Sequence, residues 1–536
     1  MNAKLLGLFA MALFCNNLTA QDILWEKSYG GKHADYLLDA QPTADYGFIL
    51  AGASLSKKTG NKEDDNLGNL DYWIWKMNEG GDLDWQKTIG GSGSDILYSI
   101  RNTKDGGFIL AGTSDSQPGA FKKDSCLGRE DIWIMKLNAK GGEQWQKTIG
   151  GSGQDLIKAI LPTSDGGYII GGSSSSDISL KILSGGTDKY GKWEKCRGNL
   201  DYWIIKLDEK GDVKWQRTLG SQYVDMLESI EQTADGGYIV GGYSNSPGSF
   251  DKNQDSYGEG DYWVVKLGKE GETEWQKVLG GEQDDHLAAI IQLKDGTYIA
   301  AGNSISGTSG NKDKSNKSGT DFWIIALNEK GDVLWQETYN TGKTDILTSI
   351  KENSDGSLLI GGYAQSEVIG SLKKADKKEI NDYIALKVSA KGEELWKETV
   401  GSKGEDILKK LIETRDGGYL LAGTSKGEIS RDKNSGKGSN DFWVVKLKDK
   451  DKKKTEEKPK IEAIPNPTVQ FTNVIVGFEF TTGTATLFDL AGRQLQSFTV
   501  DRRTIPVDLG GYPVGMYIVE VKTDAGTSSV KVMKGN

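Results

Sequence analysis

The chain of 536 residues holds 71 glycines and nine prolines, and its formal charge is −10 with acidic and basic residues interspersed. That charge excludes a nucleic-acid footprint, which needs a basic face, and much glycine with little proline excludes a collagen-like or proline-rich disordered chain. Two breaks in composition also exclude one continuous core.

Residues 1–20 stand apart. Lys4 precedes an apolar run from Leu5 to Phe14 that is too short to span a bilayer, and Leu18-Thr19-Ala20 ends on a small residue before Gln21. This predicts a signal peptide cleaved after Ala20. Cys15 does not make it a lipid anchor, because bulky Phe14 stands where such sites want a small residue. No later segment approaches the roughly 20 apolar residues of a membrane helix.

From Gln21 onward the chain repeats itself. Trp25, Trp85, Trp145, Trp215, Trp275, Trp335 and Trp396 recur at spacings of 60, 60, 70, 60, 60 and 61 residues. Ten residues after each stands an Asp, from Asp35 to Asp406, and ten further on another, from Asp45 to Asp416. A third opens segments such as Asp71-Tyr72-Trp73-Ile74 and Asp261-Tyr262-Trp263-Val264. Each repeat reads as four short strands. In the fourth, Asp225 to Thr233 turns through Ala234-Asp235-Gly236 into a second strand at Gly237 to Tyr243. A long loop precedes a third strand at Tyr262 to Leu267, and Lys269-Glu270-Gly271 turns into a fourth, Thr273 to Leu279. Asp can bond its own downstream backbone and Gly accepts positive φ, as such turns require.

The expected fold is all-β: a seven-bladed β-propeller of about 60-residue repeats over residues 21–447. Its phase predicts closure. Ile23 to Lys27 reads as an outer strand lacking its three partners, and Phe442 to Leu447 as a third strand lacking its outer one. A ring pairs these ends and leaves no edge. The passage Lys206-Leu207-Asp208-Glu209-Lys210-Gly211-Asp212-Val213-Lys214-Trp215 resembles the repeat of quinoprotein-type propellers. That resemblance implies a Trp docked between adjacent blades.

Residues 448–462 form a charged linker that cannot bury a core. Beyond it, 463–536 alternate as in a small β-sandwich. Here Asn466-Pro467, Leu487-Phe488-Asp489-Leu490-Ala491-Gly492-Arg493, Gly515-Met516-Tyr517-Ile518-Val519 and Lys531-Val532-Met533-Lys534 resemble the type A C-terminal sorting domain of the type IX secretion system. That resemblance implies the secretion machinery as a partner, passage across the outer membrane, and removal of the tail by a surface sortase.

The 21 repeated aspartates read as structural, because a catalytic site is one constellation of unlike groups. His33 and His286 occupy non-equivalent positions, and no zinc spacing or nucleophile–base–orienter set is visible. No cofactor is implied, calcium excepted. Asp251, Asn253, Asp255, Glu259 and Asp261 alternate oxygens as a hard cation requires, although Ser256 replaces the glycine of a calcium-hand loop and a solvated loop competes. Long loops between second and third strands share one face of the ring, where binding usually resides. In the third blade's insertion, Tyr190 and Trp193 are placed to stack on a sugar or partner, or else to cover Ile182 and Leu183. Cys126 and Cys196 lie five residues before Asp131 and Asp201, at equivalent places in neighbouring blades, and predict a disulfide in an oxidising compartment. The expected function is an exported, non-catalytic surface or secreted scaffold whose loops contact protein or glycan partners. The alternative is a secreted propeller enzyme acting on glycans or using a quinone.

Overall fold

The computed structural model describes residues 21–317, 319–366, 380–450, 461–478 and 480–535. The expected signal peptide, residues 1–20, and residues 451–460 of the expected linker lie outside them. Seven four-stranded antiparallel sheets follow one another along the chain. In the fourth, the strands are Asp225–Gln232, Tyr238–Ser244, Asp261–Leu267 and Thr273–Leu279, numbered here from the ring axis outward. The innermost strands touch in sequence, and the seventh touches the first, so the sheets form a closed propeller.

The seventh sheet is built from both ends of the ring. Asp22–Tyr29 pairs antiparallel with Asp441–Lys448, with Glu26 opposite Val445 and Tyr29 opposite Phe442. The third strand runs to Lys448, one residue beyond the expected boundary. Third strands are buried throughout, as in Asp201–Leu207, because strands cover both edges and neighbouring blades both faces. That explains their unbroken apolar runs. Inner strands alternate instead, as in Asp345–Glu352, with one face on the core and one on the axial lumen. Each carries a register shift, between Leu227 and Ser229 in the fourth blade, and such bulges add twist.

The first turn of each blade is built around its Asp. Thr233 Oγ1 and the Gly237 amide both donate to Asp235 Oδ1, at 2.5 and 2.8 Å. The Lys266 ammonium closes the group at 2.9 Å. The repeated outer-strand Trp works between blades. Trp275 lies over Gly331 of the next blade, whose φ is +79° and whose added Cβ would come within 2.8 Å of the ring. Its edge meets Tyr298 at 5.8 Å between centroids.

The tail folds as two sheets. One holds Ile461–Ile464, Phe471–Val476 and Thr504–Asp508, and the other Gln494–Val500, Gly483–Asp489, Gly515–Thr523 and Gly526–Lys534. They enclose Val474, Leu487, Val519, Val521 and Val532. Its motifs have structural work to do. Asp489 Oδ1 accepts from the Ala491 and Arg493 amides, and Gly492 between them takes φ +79°. Asn466 clips the last strand, donating to Lys531 O and accepting from the Met533 amide, both at 2.8 Å.

Candidate functional site

The repeated carboxylates are anchored in the scaffold. At Asp35, Asp71, Asp95, Asp131, Asp225, Asp261 and Asp285 this is through one oxygen, while Oδ1 is buried without a hydrogen-bond partner among the described residues. Asp95 is fully buried and accepts from the Gly91 amide at 2.7 Å and from Ser116 Oγ at 2.9 Å. Asp71, on the preceding blade, accepts from the Leu67 amide. The two face each other across a blade junction, and the arrangement recurs around the ring. Burial, with the neighbouring carboxyl adding, pushes Asp71, Asp131 and Asp261 up to about 6. At the junction of the fifth and sixth blades, Asn340 Nδ2 donates to Asp321 Oδ1 and Thr341 Oγ1 to Asp345 Oδ1.

Each described loop between second and third strands is organised about a buried lysine, which the sequence reading missed. Lys62, Lys122, Lys192, Lys252, Lys312 and Lys433 are all at most 2% exposed. Their signal was a Lys nine residues before the third-strand Asp in the first five blades and eight before it in the seventh. Lys252 lies in the loop where calcium is expected. Its ammonium donates to Ser244 Oγ, Ser246 O and Ser256 Oγ at 2.7 to 2.9 Å. The expected ligands are dispersed. Asp251 pairs with Arg197 at 3.1 Å, Asp255 accepts from the Gly248 amide, and Asp261 from the Tyr257 amide, while Asn253 and Glu259 do not join them. Among the described residues, no group of three or more acidic, His or Cys side chains converges as a metal site.

The expected Cys126–Cys196 bridge is likewise not formed: both thiols are free. Cys126 Sγ lies 3.1 Å from Ser114 O and 3.3 Å from Ser116 O, and Cys196 Sγ lies 3.0 Å from Ser174 O. Each sulfur therefore turns into its own blade. Burial pushes the two thiols up to about 11 and about 12, which keeps them from the reactive thiolate form. Tyr190 and Trp193 are also engaged. Both pack against the core shared by the second and third blades rather than covering Leu183, which is 63% exposed. Tyr190 Oη donates to Asp212 at 2.8 Å, and Trp193 Nε1 to Asp188 O at 2.7 Å.

Unlike groups meet in the lumen. Three residues after the inner-strand Asp stand Leu38, Tyr98, Lys158, Glu228, Ala288, Thr348 and Lys409. Six after it stand Gln41, Arg101, Leu161, Glu231, Ile291, Lys351 and Ile412. All fourteen line two axial cavities of about 300 and 290 Å³ that share Tyr98. Burial opposes ionisation of Asp39, yet Arg101 and Lys410 beside it hold its carboxyl below the usual range. Lys158 pairs with Glu228 at 2.5 Å. Glu231 accepts from the Gln292 amide at 2.9 Å, and burial pushes it up to about 7. These positions went unread because attention followed what the repeats share. The signal was the opposite: two positions where the repeats disagree, flanked by residues that recur.

Known proteins were compared with this chain. A relative described as "Regulatory protein FlaEY" from Caulobacter vibrioides is 24% identical over 264 residues, which take in 46% of this chain and 27% of that protein. The chain thus matches only about a quarter of that relative's length. Among solved structures, Sqt1 from Chaetomium thermophilum aligns with a TM-score of 0.39 at 10% identity, over 80% of this chain and 98% of that one. A Synechocystis apocarotenoid oxygenase mutant aligns at 0.36 and 10%, over 80% and 95%. Residues 462–535 match the family described as "Secretion system C-terminal sorting domain". Among the described residues no helix is long and apolar enough to cross a membrane. The chain is a secreted β-propeller protein that carries a type IX C-terminal sorting domain over residues 462–535.

Proposed function

We propose that this is a non-catalytic binding protein, displayed on the cell surface or released, whose propeller receives a glycan or protein partner at its loop-bearing face and open lumen. The observation that carries this reading is the convergence of unlike side chains on the lumen, in a ring whose repeated aspartates are buried and anchored to the scaffold. Three of the four carboxylates that line the lumen are engaged, Asp39 by Arg101 and Lys410, Glu228 by Lys158, and Glu231 by a backbone amide, which leaves Glu405 alone at the rim. No carboxylate pair stands open to act as acid and base, which favours binding over turnover. The tail hands the propeller to the secretion machinery, and a signal peptide at residues 1–20 carries it across the inner membrane.

The test is a glycan array and a pull-down with the full exported chain, followed by analysis of what is recovered. The expected result is a specific ligand returned unchanged. Recovery of a cleaved or oxidised product establishes an enzyme instead, and failure to retain any ligand overturns the binding assignment.

A further inference from the structure

The charge of the lumen runs against that of the molecule. Six basic side chains and four carboxylates line the two axial cavities, an excess of two positive charges in a chain of formal charge −10. Pairing of Arg101 and Lys410 with Asp39 and of Lys158 with Glu228 leaves three cations over, Lys351, Lys409 and Lys426, and two carboxylates, Glu231 and Glu405, without an ion pair. The ammonium groups of Lys351, Lys409 and Lys426 have no ion-pair or hydrogen-bond partner among the described residues; Lys409 is half-buried, and Lys351 and Lys426 are exposed at the wall. Desolvation within the lumen holds the Lys351 and Lys409 ammonium groups below their usual range. Arg101 and Lys410 add to the effect at Lys351, where Glu231 and Glu413 oppose it, and Lys158 with Lys410 adds to it at Lys409, where Glu228 opposes it. A net excess of positive charge on the lumen wall favours an anion, since neighbouring cations cost free energy until one arrives.

The wall beside Lys409 says what that anion is attached to. Tyr36, which is 37% exposed, and Tyr98 line the same cavity as Lys409, together with Leu38, Ile96 and Ile407. Aromatic faces beside apolar side chains suit the C–H face of a sugar ring, and a cation at the edge suits a substituent acid. A free inorganic anion would leave those rings unused.

We propose that the lumen binds an anionic saccharide, with its sugar faces against Tyr36 and Tyr98 and its acid groups at Lys409 and Lys351. This deepens the binding assignment above and rests on it. The two lysines stand on the inner strands of the sixth and seventh blades and line different cavities, so the ligand proposed has two or more residues. No bond is made or broken.

Calorimetry on the full chain tests it with three probes: trigalacturonate, its neutral methyl ester, and inorganic phosphate. The acid is expected to bind at least about tenfold more tightly than the ester, since each lost charge-assisted contact is worth about that factor. Phosphate is expected to bind more weakly than the acid, because it cannot use the tyrosines. The double variant Lys351→Gln/Lys409→Gln is expected to lose at least about tenfold in affinity for the acid while melting no lower than the parent. Equal binding of acid and ester, phosphate binding as tight as the acid, or full affinity in the double variant each overturns the proposal. A neutral glycan or protein ligand on the array, unaffected by the double variant, overturns only this inference and leaves the binding function standing. An array and pull-down that capture nothing overturn the broader reading.

Discussion

Cys126 and Ser256 answer one need with different atoms. Both stand five residues before the third-strand Asp, and both donate to carbonyls at the end of the second strand. Cys126 reaches Ser114 O and Ser116 O, and Ser256 Oγ reaches Ser244 O at 3.1 Å and Ser246 O at 3.4 Å. Asn66 and Asn316 serve Ser54 O and Ser304 O in the same way. The position therefore selects a short side chain with a donor, and a thiol qualifies. Pairing by an even cysteine count and equivalent loop positions overlooked this local demand, which holds each sulfur inside its blade. Cys126→Ser is expected to change stability by less than about 0.5 kcal/mol. Cys126→Ala, which leaves the carbonyls without a donor, is expected to cost about 1 kcal/mol or somewhat more. Denaturant melts of the two variants check this. Peptide mapping of exported protein under non-reducing conditions should return both cysteines as free thiols, and a linked 126–196 peptide would overturn the assignment.

Blades are stapled to one another by elements whose residues recur, and this much of the fold was legible from spacing alone. Seven Trp residues, seven turn Asp residues and the two half-blades at the ends gave blade number, strand order and closure. The Trp also needs a partner, and Gly331 or Gly271 supplies it at the next blade's last turn, where positive φ and the lack of a Cβ let the ring lie flat. The lumen was not legible, because its chemistry lives at positions where the repeats differ. Nor were the buried lysines, because charged loop residues read as solvated until their cage is seen. Blade junctions bear on stability too. Burial pushes Asp71, Asp131, Asp261 and Asp406 up to about 6, from an ordinary value of 3.8. The native state thus binds more protons than the unfolded chain between roughly pH 4 and 6, and stability falls as pH rises through that window. On the acid side the sign reverses. Hydrogen bonds from Thr and Lys outweigh burial and draw Asp165 and Asp235 down to about 2, so their contribution is lost as pH falls from about 4. The melting temperature should peak between about pH 4 and 5 and be lower at about pH 7.5. A maximum at neutral pH would contradict this account of the junctions.

Closure is the property of the whole molecule on which the rest depends, since the lumen exists only while seven blades form a ring. The closing strand adds more than backbone pairing. In the first five blades the third-strand Trp donates its Nε1 to an outer-strand Gln, as Trp203 does to Gln216 at 3.1 Å. In the seventh blade Trp443 donates at 2.7 Å to Glu26, which the N-terminal strand brings to the same place. Trp25 meanwhile lies within reach of the first blade's turn at Gly81, so one strand joins the seventh blade to the first. Deleting Gln21 to Ser28 removes all of this together. It exposes the Asp441–Lys448 edge, strips the Trp443 indole of its acceptor and uncovers Gly81. Losing one large aromatic contact, one buried hydrogen-bond acceptor and a ladder of pairings should cost on the order of 5 kcal/mol or more. That is a large part of the total stability of an ordinary domain. Loss of the edge cover also invites strand addition from a second copy. The truncated chain should therefore melt well below the intact one and associate at concentrations where the parent stays dispersed. Thermal melts and light scattering on the two proteins decide it: a truncation that melts within a degree or two of the parent, and stays monodisperse, would mean the ring does not depend on its closing strand.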